Sequence, residues 1–222
     1  MTISVPSLQR VPAAERGLTI ADFLVPVRVA ERIGPAARHA ALVVAGALLV
    51  ALAAQVRIDL PDNPVPITGQ TFGVLLVGGA LGFRRGGLAL ALYVLTGFFL
   101  PVYAGGASGL NRIIGFDEGR LVLGATGGYL LGFVVAGALV GRLAELGWDR
   151  RLLGAVVAMA VGNVVIYLFG VPWLMAATGM ALDEAIAKGV VPFLVGDAIK
   201  LGLAGAAFPA AWWVVGRLPE ER

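Results

Sequence analysis

Asp197 and Lys200 stand three residues apart in a stretch, 190–215, that carries no other charge. Each charge at the centre of a membrane-spanning helix costs roughly 2.5 to 3.5 kcal/mol on insertion scales, so two kept in one helix call for a reason. Their spacing puts both on one helical face, able to contact each other or a single ligand. An ion pair that merely packs the bundle is the competing reading. Gln70 follows Pro66 by one turn much as Asp197 follows Pro192, and Asn163 and Tyr167 add uncharged polar groups one turn apart. Each of these alone is better suited to bonding between helices. Other chemistry is excluded by type: without Cys and with one His there is no disulfide, thiolate or His-cluster metal site. Gly106-Ala107-Ser108-Gly109 has the form of an intramembrane serine protease motif, but the only His, His39, is expected on the opposite side of the membrane from Ser108. No catalytic residue is assigned. Nor does any GxxxxGK[ST] occur, so ATP-driven work would need another subunit.

The elements that must carry these residues follow from composition. Of 222 residues 59% are hydrophobic and only 14% charged, with 32 glycines, which excludes a soluble globular enzyme. Mean hydropathy is +0.88. Uncharged stretches at 40–56, 67–83, 86–111, 121–141 and 152–182, with 190–215, are each long enough to be a membrane helix. The fold class expected is therefore an all-α membrane protein with six transmembrane helices. Twelve of the 17 Lys and Arg fall in the two tails and the second and fourth loops, which places both termini in the cytoplasm. The +3 net charge rests on few groups and says nothing for nucleic acid as a partner.

Residues 1–38 form a cytoplasmic tail, 39–217 the six-helix domain and 218–222 a C-terminal tail. In the first tail Ile20, Phe23, Leu24 and Val27 recur at helical spacing, which predicts a short helix lying on the cytoplasmic leaflet, interrupted by Pro26. The outward loops hold the Pro- and Gly-rich segments. Prolines at 61, 64 and 66 forbid continuous helix and leave carbonyls without intrahelical partners, and such backbone at membrane depth belongs at a cavity.

Four ordered segments, Val65-Pro66-Ile67-Thr68-Gly69-Gln70-Thr71-Phe72, Leu100-Pro101-Val102-Tyr103-Ala104-Gly105-Gly106, Thr126-Gly127-Gly128-Tyr129 and Gly196-Asp197-Ala198-Ile199-Lys200, closely resemble the BioY family. These are biotin-capturing S components of energy-coupling factor (ECF) transporters. The resemblance implies a multi-pass protein of the bacterial inner membrane that takes up biotin from outside and pairs with a transmembrane T component and two cytoplasmic ATPases of ABC type. It implies that Asp197 and Lys200 contact the vitamin and that the Ala-rich face of the first helix, Ala41, Ala45, Ala47 and Ala51, docks the T component. A carboxylate can accept from biotin's ureido N–H groups and an ammonium can donate to its carbonyl. Gln70, Thr68 and Asn163 would add polar contacts, and Tyr103, Phe72 and Tyr129 would pack the ring. No cofactor or metal is implied. Residues 111–120 depart from the family pattern as a charged insertion, and Ala125 stands where the family usually has Pro. An S component for another small vitamin and an ion-coupled secondary carrier titrating Asp197 are the alternatives, distinguishable by ligand screening and by ion dependence of uptake.

Overall fold

The structure is a computed structural model and describes residues 19–24 and 34–215; Pro26, Val27 and the tail 218–222 lie outside the described residues. Among the described residues seven α-helices carry the fold: α1 Ile20–Leu24, α2 Pro35–Ala53, α3 Gln70–Thr96, α4 Gly127–Glu145, α5 Leu152–Thr178, α6 Leu182–Gly189 and α7 Leu194–Val215. The all-α expectation needs one amendment, because two connections form small antiparallel ladders. β1 (Arg57–Ile58) pairs with β2 (Ile67–Thr68) across the proline-rich loop, and β3 (Ile114–Asp117) pairs with β4 (Arg120–Leu123). The second ladder, 114–123, overlaps the charged segment 111–120. Glu118 and Gly119, both at positive φ, make its two-residue turn, as the right-handed twist of a tight hairpin demands.

Among the described residues five helical runs are long and apolar enough to cross a membrane: Pro35–Ala53, Gln70–Thr96, Gly127–Glu145, Leu152–Thr178 and Leu182–Val215. The expected second and third spans fall together in α3. This helix breaks at Gly82 (φ 82°, ψ −177°), a conformation open to glycine and costly for a side chain. Its arms fold back on each other. Gln70 Nε2 donates to Tyr93 Oη at 2.6 Å, although 23 residues of straight helix would separate them by about 35 Å. A Cβ on Gly86 would lie 3.1 Å from Gly78 Cα, so the arms touch backbone to backbone. α4 packs into the same crossing: a Cβ on Gly78 would meet Gly137 O at 2.5 Å, and one on Gly132 would meet Ile166 Cα of α5 at 3.1 Å. Without a hydrophobic difference between lipid and side chain, close packing of this kind is what holds membrane helices together.

The expected helix 190–215 begins later than the sequence suggests. Pro192 sits in a 3-10 turn, Val191–Phe193, and α7 starts at Leu194, because a proline lacks the N–H an interior position needs but is tolerated before the first turn. Asp197 therefore lies in the first turn of α7, not two turns below its start. α1 also differs from the surface helix expected. Thr19, Ile20 and Ala21 are buried in protein, Phe23 meets Trp212 edge-on at 5.4 Å, and Asp22 accepts from Arg85 Nη2 at 2.7 Å with Arg38 Nη1 at 3.5 Å. The segment thus bridges α2, the second arm of α3 and α7.

Beside it, in the α4–α5 turn, Asp149 is 1% exposed and accepts from Trp212 Nε1 at 2.7 Å, while the Arg150 guanidinium lies 4.4 Å over the Trp212 ring. Burial pushes the Asp149 carboxyl up from 3.8 to about 6, against the opposing pull of Trp212 and Arg150. A raised carboxyl binds its proton more tightly in the folded state, so stability falls as pH rises through the window between those values and is level above it. Asp149→Asn keeps an acceptor for Trp212 and should flatten melting temperature against pH between about 4 and 6, with a gain at pH 7; each pKa unit corresponds to about 1.4 kcal/mol. An unchanged slope in detergent would assign the cost elsewhere.

Candidate functional site

The proline-rich loop, the loop after α3, and the starts of α3, α4 and α7 converge on one cavity, with about 840 Å³ of open space counting the solvent at its mouth. Pro64, Val65, Pro66, Thr68, Gln70 and Thr71 form one wall; Tyr103, Ala104 and Ala107 come from the loop after α3. α4 contributes Tyr129, Leu130 and Phe133, α5 Ile166 and Tyr167, and the last segment Phe193 and Lys200, with Arg57 and Arg112 completing the lining. The surface is mainly apolar and aromatic, with polar groups around Lys200 and the two arginines besides.

Lys200 is the centre of the polar cluster. Its Nζ lies 2.7 Å from Thr71 Oγ1, 3.1 Å from Thr68 O and 3.4 Å from Asp197 Oδ1. The Thr68 carbonyl is available because β2 ends there, before α3 begins at Gln70. Asp197 is 4% exposed and stands behind the wall: Oδ1 faces Lys200 and Oδ2 accepts from the Tyr167 hydroxyl. One buried negative charge thus orients two donors that do line the cavity. The Gln70 amide is held between Thr68, whose hydroxyl donates to Oε1 at 2.9 Å, and Tyr93. Tyr103 and Tyr129 spend their hydroxyls on the carbonyls of Val94 and Gly189, which fixes the rings and leaves them as apolar wall.

Of the residues singled out in the sequence, Lys200, Gln70, Thr68, Tyr103 and Tyr129 line the cavity, and Asp197 touches it through Lys200 and Tyr167. Phe72 and Asn163 are not brought there. Phe72 packs against the Leu75, Met159 and Phe208 cluster, and Asn163 is buried inside α5 off the cavity wall. The alanines also divide. Ala41 and Ala45 are exposed on α2, whereas Ala47 is buried and Ala51 packs on the core, since six residues rotate a helix by about 240°. Sequence reasoning did not place Thr71, Phe133, Ile166, Phe193, Arg57 or Arg112 at the site. Thr71 could have been found as the neighbour of Gln70; the rest meet only in three dimensions.

Comparison with known proteins gives the family. The model of the BioY family matches residues 25–217. The chain belongs to the BioY family. It is 37% identical over 158 residues to the biotin transporter BioY of Rhizobium etli, covering 69% of this chain and 81% of that protein. It is 34% identical to the probable biotin transporter BioY of Pyrococcus horikoshii (76% and 92% covered) and 34% identical to the biotin transporter BioY of Thermotoga maritima (73% and 90%). A crystal structure of the S-component for biotin from an ECF-type ABC transporter superposes with a TM-score of 0.68 over 78% of this chain and 90% of that one, at 21% identity, so the two share a fold. This BioY-family chain is accordingly a multi-pass membrane protein of a transporter family.

Proposed function

We propose that the chain captures biotin at the outer face of the bacterial inner membrane and is the substrate-specific S component of an ECF-type transporter. The observation that carries this is the Lys200, Asp197 and Tyr167 cluster beside a mainly apolar and aromatic cavity, in a chain whose relatives are named biotin transporters. A ureido group brings two N–H donors and a carbonyl. The Tyr167 oxygen retains lone pairs for the donors, and the Thr71 hydroxyl faces the carbonyl, which Lys200 reaches by exchanging one of its present acceptors. Asp197 acts from behind the wall through Lys200 and Tyr167, and Tyr103, Tyr129 and Phe133 give the thioether ring an apolar bed. Gln70 and Thr68 complete the polar edge, while Phe72 and Asn163 support the packing around it.

Six spans with cytoplasmic termini are the topology of this reading: the fold-back at Gly82 supports counting each arm of α3 as one crossing, and the basic loops support the orientation. Residues 39–217 are then the transport domain, flanked by cytoplasmic tails. In this reading a T component and two ABC-type ATPases drive release inward; the sequence given carries no Walker loop of its own. Ala41 and Ala45 offer the first of these an exposed small-residue face on α2; Ala47 and Ala51 serve the core instead. The direct test is equilibrium binding of biotin to the purified full chain in detergent. Saturable, stoichiometric binding is expected, and a monodisperse sample that binds no biotin would overturn the proposal.

A further inference from the structure

Three cations line the cavity, and their hydrogen bonding differs. The three N–H groups of Lys200 are matched by Thr71, Thr68 and Asp197, so this ammonium cannot take a further acceptor without giving one up. Arg57 points Nε and Nη2 at Asp59 Oδ1 (2.8 and 2.6 Å) and Nη1 at Ala104 O (3.0 Å). Arg112 is different. Its guanidinium has no hydrogen bond or ion pair among the described residues, yet it belongs to the cavity lining.

The backbone that carries it is held firmly. Arg112 N–H donates to Gly109 O at 3.2 Å, the buried Ile113 follows it, and Gly124 N–H donates to Ile113 O at 2.9 Å. Gly124 presses so closely that a Cβ there would lie 2.2 Å from Arg112 O. The β3–β4 hairpin between Ile113 and Gly124 closes this mount, so the segment that departs from the family pattern is the one that places an unspent cation at the cavity.

Given a ligand with a polar head at the Lys200 cluster, the other end of biotin is an aliphatic chain ending in a carboxylate, and this needs a donor pair that is not already engaged. We propose that Arg112 binds that carboxylate and makes the site prefer the free acid over its uncharged amide. A guanidinium presents parallel N–H groups that match both carboxylate oxygens, and charge-assisted bonds of this kind are the stronger ones. The assignment rests on the biotin reading above, and it also fixes the ligand's direction, head to α7 and tail to the loop after α3.

The test is a set of dissociation constants for biotin and biotinamide on the full chain in detergent, for the parent, Arg112→Ala and Arg112→Lys. The parent should prefer biotin, Arg112→Ala should weaken biotin by about 10- to 100-fold while leaving biotinamide within about twofold, and Arg112→Lys should fall between. A structural role for Arg112 would weaken both ligands alike; that result, or an unchanged preference in Arg112→Ala, overturns the assignment. A parent that binds neither ligand overturns the biotin reading itself, whereas a parent that binds both equally overturns only the role of Arg112.

Discussion

Asp197→Asn is expected to weaken biotin binding by about two orders of magnitude while the protein still folds. The substitution keeps the shape of the side chain and removes its charge. Asp197 is 4% exposed and Lys200's side chain 16%, so the ammonium loses its counter-ion in a place where water compensates poorly. Breaking a buried pair from one side costs about 3–5 kcal/mol in general, because the remaining charge is left uncompensated. The asparagine NH₂ also turns a donor toward either Lys200 or the Tyr167 hydroxyl, so at least one of the two cavity donors must swing away. Loss of about 2.8 kcal/mol from the bound state is a factor of 100 in Kd. Lys200→Met should have an effect of similar size from the opposite side. The readouts are Kd in detergent and melting temperature on the same sample. A change in affinity below tenfold, with the protein destabilised, would make the pair a packing device and return Asp197 and Lys200 to the competing reading.

Gly141→Val should abolish the folded state or lower its melting temperature by about 10 °C. A Cβ at Gly141 would lie 2.3 Å from Gly82 C, 2.5 Å from Gly82 O and 2.7 Å from Phe83 N. All three are backbone atoms, so no rotamer change relieves the clash; α4 must move off the bend of α3. The bend has little room to follow, since Gly82 already sits at φ 82° and Glu145 Oε1 accepts from Phe83 N–H at 2.9 Å. Overpacking against a fixed surface costs about 3 kcal/mol or more, which for a chain of this size is a shift of roughly 10 °C. Gly202→Ala is the control, because nothing lies within 4 Å of a Cβ at that position. If Gly141→Val were to melt with the parent, the close crossing of α4 and α3 would not be what holds the two arms of α3 together.

Much of the protein was legible in one dimension. Apolar runs interrupted by charge mark the helices because burial of a spanning segment in lipid is a local requirement, satisfied residue by residue along that segment. The same logic exposes Asp197 and Lys200, whose charges are conspicuous wherever their neighbours fold. The prolines between β1 and α3 announce irregular backbone for the same reason, and the four ordered motifs point to the family from which the function follows.

What the sequence alone left undecided depends on which faces meet. Ala41 and Ala47 have the same local signature, and only the packing of α2 leaves the first exposed and buries the second. Phe72, next to Thr71, packs on the Leu75, Met159 and Phe208 cluster and not at the cavity, because neighbours on a helix are 100° apart. Tyr167 reaches Asp197 across 30 residues, Lys200 reaches Thr71 across 129, and Arg112 lines the same cavity from beside the β3–β4 hairpin. The composition and spacing of this chain determined that it is a membrane bundle with a charge pair inside its last helix. Which side chains surround that pair was decided by the fold-back at Gly82 and the glycine crossings, since contacts between distant segments arise from packing geometry that no local pattern encodes.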